Sequence, residues 1–172
     1  FGFSEMLGRR PTQEDALVIV GDFNNDKDSI LFAVFDGHAG QQASRYCAKQ
    51  CQKQLETAIA ANPDEPLEAL RVCLAALAMG FQAASEKLGG DARHCGTTAL
   101  VVWIDKGQAI HVANLGDTRC VLSRGGSAVR LSKDHKPLDE EDRIRELGGY
   151  VIGKTTQRVN GMLGVPRSIG DF

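Results

Sequence analysis

Two short apolar runs near the start of the chain predict β-strands. Residues 16–20 (Ala-Leu-Val-Ile-Val) are apolar and rich in β-branched side chains, and residues 30–35 (Ile-Leu-Phe-Ala-Val-Phe) form an uninterrupted apolar run. A run without polar alternation is typical of a strand that is buried on both faces. We therefore expect the second strand to lie inside a sheet that is covered on both sides.

Two amphipathic helices are predicted next. In residues 41–61 apolar side chains recur at a four-residue step, and in residues 66–88 steps of three and four alternate. Both patterns place an apolar stripe along one side of a helix. An Asn-Pro pair at 62–63 ends the first helix, and a Gly pair at 89–90 ends the second. The stripe of the second helix comprises Leu67, Leu70, Leu74, Leu77, Phe81, Ala84 and Leu88. We expect the two helices to pair antiparallel and to cover a sheet face, with a coiled-coil partner as the alternative.

The second half of the chain is dominated by short β-rich segments. They cover residues 98–104, 109–115, 119–123 and 128–131. Asp105-Lys106-Gly107 predicts a hairpin turn between the first two segments. A short acidic helix is predicted over 139–147, with Glu141 placed four residues before Arg145. The order of strands, two helices and then several strands predicts an α+β fold with antiparallel sheets.

Composition narrows the function classes. The 172 residues hold 20 Lys and Arg against 22 Asp and Glu, for a net charge of −2, so we expect no nucleic-acid partner that depends on bulk positive charge. Continuous apolar runs stay well short of the roughly 18 residues of a membrane span. The five cysteines are an odd, sparse set, which favours reduced structural thiols in the cytoplasm or nucleus over a zinc site.

Asp36 is the strongest candidate for a residue with a chemical role. It follows the apolar run 30–35 directly and precedes Gly37-His38. A carboxylate at the end of a buried strand needs a cation or several N–H donors, because its desolvation is costly. Gly37 permits close backbone approach, including a carbonyl turned toward a metal, and His38 titrates near neutral pH. The alternative is a turn aspartate beside a surface histidine.

Acidic residues recur at other strand ends. Glu14 and Asp15 precede the first strand, Asp117 follows the segment 109–115, and Asp171 follows a glycine near the end of the sequence. If these strand ends meet at one edge of a sheet, the crowded carboxylates raise each other's pKa. A hard divalent cation would relieve that repulsion, and oxygen ligands select Mg²⁺ or Mn²⁺ over zinc.

Arg10 lies close to this acidic group in sequence, four residues before Glu14. A guanidinium offers paired donors that match phosphate oxygens, although a solvated surface arginine is the alternative. The sequence lacks the glycine-rich nucleotide-binding motifs and the GxSxG elbow of serine hydrolases. The residues therefore favour metal-assisted phosphate chemistry over nucleotide binding or serine-based hydrolysis.

Six segments carry motifs in a fixed order along almost the whole chain. They are 8–15 (GRRPTQED), 32–40 (FAVFDGHAG), 96–99 (GTTA), 114–119 (NLGDTR), 131–137 (LSKDHKP) and 158–161 (RVNG) with 167–171 (RSIGD). Together they resemble the metal-dependent serine/threonine protein phosphatases of the type 2C class. Pro166 departs from the family pattern, which usually has a serine before the arginine of the last motif.

The resemblance implies a four-layer fold, with two antiparallel β-sheets in a sandwich flanked by antiparallel helices. It also implies two Mg²⁺ or Mn²⁺ ions between the sheets. By this resemblance Asp36 would bridge the two ions, the Gly37 carbonyl would bind one of them, and Glu14 and Asp15 would hold metal-bound waters. Asp117 matches the position linked to a third, weaker metal site.

The resemblance also implies phosphoprotein substrates and a role in signalling by dephosphorylation. Arg10 would bind the substrate phosphate, and His38 would protonate the leaving seryl or threonyl oxygen. A metal-activated water would attack phosphorus directly, without a phosphoenzyme.

The later motifs of the family, which supply further metal carboxylates, are absent from this sequence. We therefore expect residues 1–172 to form a C-terminally incomplete catalytic domain that is weakly active as it stands. A non-catalytic, phosphatase-like binding or regulatory module is the first alternative. Another two-metal phosphoryl-transfer enzyme, such as a nuclease, is the second, but it would need a basic stretch interleaved with aromatic residues.

Overall fold

The computed structural model describes residues 1–172, apart from the side chain of Asp91. The helices are α1 (Gln42–Ala61), α2 (Pro66–Leu88) and α3 (Glu141–Glu146). The strands are β1 (Ala16–Val20), β2 (Ile30–Phe35), β3 (Gly37–His38), β4 (Gly96–Thr97), β5 (Ala99–Asp105), β6 (Ala109–Leu115), β7 (Val121–Arg124), β8 (Ser127–Arg130), β9 (Val151–Ile152), β10 (Arg158–Val159) and β11 (Ile169–Gly170). Short 3-10 turns lie at Phe23–Asn25, Gly90–Arg93 and Pro137–Glu140.

The main sheet has four antiparallel strands in the order β1-β2-β5-β6. Phe35 at the end of β2 lies opposite Ala16 at the start of β1, and Ala99 at the start of β5 lies opposite Leu115 at the end of β6. In an antiparallel sheet the end of one strand meets the start of its neighbour. All four of these strand ends therefore lie at one edge of the sheet.

A small sheet continues from this edge, with its strands in the order β11-β4-β3. Thr97 of β4 pairs with Gly37 on one side and with Ile169 on the other. Residues near the end of the chain are in this way brought beside the segment that follows β2.

The two long helices cover one face of the main sheet. Helix α1 contacts α2, β1 and β2, and α2 also contacts β6 and β11. The core between them is apolar and fully or almost fully buried. It includes Leu31, Ala33, Phe35, Cys47, Cys51, Leu55, Leu70, Cys73, Leu77, Phe81 and Ile169. Burial of such side chains is the main stabilising contribution to a domain of this kind.

The structure confirms the predicted α+β class, the antiparallel sheets and the antiparallel helix pair. Two predictions about burial were wrong. In β2, Leu31 and Phe35 are buried beneath the helices, but Val34 on the opposite face is 41% exposed. The helices cover only one face of this sheet. The other face of β2 is partly open to solvent although its side chains are apolar.

The predicted stripe of α2 is also buried over a shorter length than expected. Leu70, Leu77 and Phe81 are buried, whereas Leu67 and Leu88 at the two ends are exposed. By length and composition this helix is apolar enough to cross a membrane. Its buried side chains belong instead to the hydrophobic core shared with α1 and the sheet, which favours the role of a core helix.

Two later segments differ from the sequence prediction by more than one residue. The segment expected at 119–123 becomes a strand at Val121, and the helix expected over 139–147 is divided into a 3-10 turn at Pro137–Glu140 and α3. The predicted Glu141–Arg145 pair forms at 2.8 Å. These differences leave the order of elements unchanged.

Asp134 anchors the segment between β8 and the 3-10 turn. Its side chain is 9% exposed and accepts hydrogen bonds from the guanidinium groups of Arg119 and Arg130. The hydrogen bonds and charge of Arg119 lower the pKa of Asp134 below its usual range. We expect Asp134→Asn to reduce the free energy of unfolding by about 1–2 kcal/mol at pH 7, because hydrogen bonds to charged groups are lost while both arginines stay partly hydrated.

The pH dependence of this effect has a definite sign. A carboxylate whose pKa is lowered on folding stabilises the fold above its unfolded pKa, and that contribution disappears as the pH falls through the folded pKa. The stability difference between wild type and Asp134→Asn should therefore be full at pH 7 and shrink below about pH 4. Urea denaturation at both pH values measures it, with the exposed Asp28→Asn as control. A difference that persists unchanged in acid would contradict this assignment.

Candidate active site

The sheet edge that gathers the four strand ends borders two clefts, which meet at Asp36. The first has a volume of about 320 Å³ and is lined by Arg10, Glu14, Asp15, Asp36, Gly37 and His38. The second has a similar volume of about 320 Å³ and includes Asp36, His38, Thr98, Asp117, Arg158 and Val165 in its lining. Six of the seven residues predicted from the sequence therefore share one cleft, and Asp117 lies in the adjoining one.

The backbone of Asp36 is held by Thr98, which lies between β4 and β5. Its N–H donates to Thr98 Oγ1 at 3.1 Å, and the Thr98 N–H donates to the Asp36 carbonyl oxygen at 2.9 Å. Thr98 Oγ1 in turn lies 2.6 Å from Thr118 Oγ1. These bonds fix the main chain where β2 ends, while the Asp36 side chain is left free to face the cleft.

The segment before β1 is held against Gly37. The Glu14 carbonyl oxygen accepts a hydrogen bond from the Ser44 hydroxyl of α1. A Cβ atom added at Gly37 would collide with that same carbonyl. Glycine at this position is therefore required for Glu14 and Asp15 to approach the Asp-Gly-His segment so closely.

The carboxylates at this edge repel one another. The pKa of Asp36 is raised above its usual value, first by desolvation and then by the negative charges of Asp15 and Asp117, while His38 lowers it. Asp36 is nevertheless exposed to the cleft, so neighbouring atoms remove only part of its hydration. Oxygen donors of like charge, open to solvent, fit a hard divalent cation such as Mg²⁺ or Mn²⁺ in kind and in charge.

These donors do not form a complete cage. Among the side chains that the structure describes, no three Asp, Glu, His or Cys groups are close enough together to hold a metal ion. Asp117 is engaged instead by Lys136, whose Nζ donates to Oδ2 at 2.9 Å. The residues present therefore fit the predicted ions as a partial set of ligands, with Lys136 as an additional positive charge that sequence reasoning missed.

His38 is bound by a carboxylate from the far end of the chain. Its Nε2 lies 3.0 Å and 2.9 Å from the two carboxylate oxygens of Asp171. The hydrogen bond to Asp171 raises the pKa of His38, and the burial that lowers the pKa is the weaker influence. The sequence marked Asp171 only as an acid beside a glycine, so its pairing with His38 was not predicted.

The family model for Protein phosphatase 2C matches residues 1–172. This chain belongs to the protein phosphatase 2C family. The resemblance inferred from six ordered motifs is thus confirmed along the whole sequence.

Curated relatives of this family member come from plants, fungi and animals. It is 36% identical to "Probable protein phosphatase 2C 55" of Oryza sativa subsp. japonica, over 99% of this chain and 45% of the relative. It is 38% identical to "Protein phosphatase 1E" of Homo sapiens, over 94% of this chain and 22% of the relative. The chain thus spans about half the length of the rice relative and less of the human one.

Solved structures of the family support the same fold. A structure described as a C. elegans sex determining protein superposes with a TM-score of 0.83 at 30% identity, over 95% of this chain and 42% of the other. Serine-threonine phosphatase 2C from Toxoplasma gondii superposes with a TM-score of 0.79 over 96% of this chain and 65% of the other. At 20% identity, the second likeness shows the fold alone.

In this member of the protein phosphatase 2C family, Pro166 and Arg167 of the last motif both bond to residues at or next to α3. The Pro166 carbonyl accepts a hydrogen bond from Arg143 of α3 at 2.8 Å. Arg167 donates to Glu140 at 2.8 Å. Proline removes a backbone donor at this position but keeps its acceptor, and the acceptor is the group used here.

Proposed function

We propose that this chain is the core of an enzyme that hydrolyses phosphoserine and phosphothreonine in proteins with the help of Mg²⁺ or Mn²⁺. The observation that carries the proposal is the cleft at the sheet edge, which joins Asp15 and Asp36 with Arg10 and His38. A cleft that contains carboxylates for hard cations, a guanidinium for phosphate and a histidine for proton transfer suits phosphate ester hydrolysis.

Two ions would be held by Asp36, the Gly37 carbonyl, Glu14 and Asp15, the last two through water, with a third and weaker site at Asp117. When bound, such ions lower the pKa of water and neutralise phosphate charge. A cation at Asp117 would compete with Lys136 for the same carboxylate. That competition is a reason to expect weak binding at the third site.

The remaining steps belong to side chains of the chain itself. Arg10 would bind and orient the phosphate through paired N–H donors, which match the spacing of its oxygens. His38 would donate a proton to the seryl or threonyl oxygen as the ester bond breaks, since an alkoxide is a poor leaving group without one. No covalent phosphoenzyme is required.

The test is metal-dependent release of phosphate from a phosphothreonine peptide. Residues 1–172 should be weakly active with Mn²⁺, because the described side chains provide only a partial set of metal ligands. A form extended at its C-terminus by the corresponding family segment should be much more active. Magnesium should support the same reaction. Equal activity of both forms without metal would refute the two-ion proposal.

A phosphatase-like binding module is the second candidate. It is favoured by the lack of any three-residue metal cluster among the side chains described here. Such a module would bind the phosphothreonine peptide without turnover in either form, and Arg10→Ala would abolish binding measured by calorimetry. Detectable metal-dependent turnover would exclude it.

We further propose a cytoplasmic or nuclear location, without a membrane span or a nucleic-acid partner. Cys47, Cys51 and Cys73 are fully buried on facing sides of α1 and α2, and burial raises the pKa of the Cys47 thiol to about 12. Such thiols are inert core groups, which is common in proteins of reducing compartments. Cell fractionation with a tagged protein tests this location.

A further inference from the structure

His38 lines both clefts, and its contact with Asp171 has no assigned role so far. The Asp171 side chain is 9% exposed, and both of its oxygens lie within hydrogen-bond distance of His38 Nε2. The two residues are brought together by the small sheet, because His38 ends β3 and Asp171 directly follows β11. Each is thus placed by backbone pairing to the shared central strand.

Several neighbouring groups hold Asp171 in this position. The Ser168 hydroxyl donates to the same carboxylate, and the Asp171 N–H donates to the Cys95 carbonyl oxygen at 3.1 Å. Gly96 of the central strand leaves the necessary room, because a Cβ atom there would collide with the Asp171 carboxylate. The position of the Asp171 carboxylate therefore depends on the Ser168 hydroxyl, on the backbone bond to Cys95 and on the space left by Gly96.

The backbone of Asp171 also adopts an unusual conformation. Its φ is 58°, in the left-handed region that non-glycine residues seldom occupy. Strain of this kind is retained where the surrounding structure enforces it, and it is concentrated at functional sites. Among residues other than glycine, aspartate and asparagine tolerate the conformation best.

We propose that Asp171 is the positioning residue for His38, which it fixes through Nε2 so that Nδ1 is the ring nitrogen available to the substrate. The inference rests on the proposed phosphatase function. As water adds to phosphorus, the bond between phosphorus and the leaving oxygen breaks, its electron pair stays on that oxygen, and the oxygen takes the Nδ1 proton. The attacking water releases one proton to solvent as its oxygen bonds to phosphorus, and the ring regains one proton from solvent. An ion pair on the far side of the ring holds it in one orientation during this transfer.

The test is Asp171→Asn, which keeps the shape of the side chain and tolerates the left-handed backbone. In the intact protein, we expect kcat for a phosphothreonine peptide to fall about 10- to 100-fold, as for other residues that support a reactive group. With p-nitrophenyl phosphate the loss should be under about 3-fold, since its leaving group needs little protonation. The His38→Ala/Asp171→Asn double variant should be no slower than His38→Ala alone.

Two further variants keep the test decisive. Asp134→Asn removes an equally buried aspartate that binds arginines rather than His38. It should not change the ratio of kcat for the phosphothreonine peptide to kcat for p-nitrophenyl phosphate. Ser168→Ala should lower that ratio, as Asp171→Asn does, but by a smaller factor.

If Asp171→Asn slows hydrolysis of both substrates equally, or if its effect adds to that of His38→Ala, the positioning role is wrong while the phosphatase function stands. If the wild-type protein hydrolyses neither substrate, both proposals are overturned together.

Discussion

Asp36→Asn is expected to lower metal-dependent hydrolysis of a phosphothreonine peptide by at least about 10³-fold, which corresponds to several kcal/mol of lost transition-state stabilisation. Asparagine retains the shape of the side chain, but it loses the charge that a divalent cation requires. Initial rates at saturating Mn²⁺ measure the loss. Excess Mn²⁺ should not restore activity, because a neutral amide is a poor replacement for a carboxylate that would hold a divalent cation.

The same substitution should leave the fold intact or stabilise it. Desolvation and the charges of Asp15 and Asp117 disfavour ionised Asp36 in the absence of metal, and a neutral amide removes that repulsion. The melting temperature without metal should therefore stay the same or rise. Asp105→Asn is a matched control, because Asp105 ends the neighbouring strand β5 at the opposite edge of the sheet. If Asp105→Asn is equally inactive, or Asp36→Asn melts well below wild type, the assignment fails.

His38→Ala is expected to reduce kcat for the phosphothreonine peptide by about 10²-fold or more, the usual contribution of a general acid. The loss on an aryl phosphate should be far smaller, because a phenolate leaves without a proton. A plot of log kcat against the pKa of the leaving group should therefore become steeper in the variant. This slope distinguishes a proton donor from a residue that only shapes the cleft.

His111→Ala provides the matched control for this experiment. His111 is also a partly buried histidine near an aspartate, with its Nε2 3.9 Å from Asp105. Its ring packs against Trp103 in a tilted orientation, at a centroid distance of 5.1 Å. It lies on β6 away from the clefts. Its removal should lower stability through lost packing, while the slope of log kcat against leaving-group pKa stays unchanged. A slope that changes equally in both variants would contradict the role given to His38.

Much of the fold could be predicted because its larger elements have strong local signals. The apolar runs of β1 and β2 and the stripes of the two long helices fix their bounds to within about one residue. The acidic residues at the strand ends also come together predictably, because in an antiparallel sheet the end of one strand lies beside the start of the next. The exposure of Val34 could not be predicted, since an apolar run does not reveal which layers cover a sheet.

The candidate site was predictable where its residues belong to motifs, and less so where partners meet through tertiary structure. Asp36, Gly37 and His38 are adjacent in sequence, and their neighbours at the sheet edge follow from topology. Strands of two residues, such as β3 and β11, have no periodicity to detect. Contacts of Thr98, Lys136 and Asp171 with site residues depend on such elements and on side-chain reach, so the sequence did not indicate them. The catalytic and metal-binding roles themselves stay predictions until the variants are measured.

The small sheet has a consequence for biogenesis. His38 and Asp171 are separated by 133 positions, and contacts between such distant residues form late, because the loop between them must first be closed. During synthesis the N-terminal segment with Asp36 and His38 leaves the ribosome well before its partner exists. The His38 side chain should therefore stay loosely held until the polypeptide has emerged beyond Asp171. The pair of His38 and Asp171 can then form only after the helix pair and the main sheet have been able to fold.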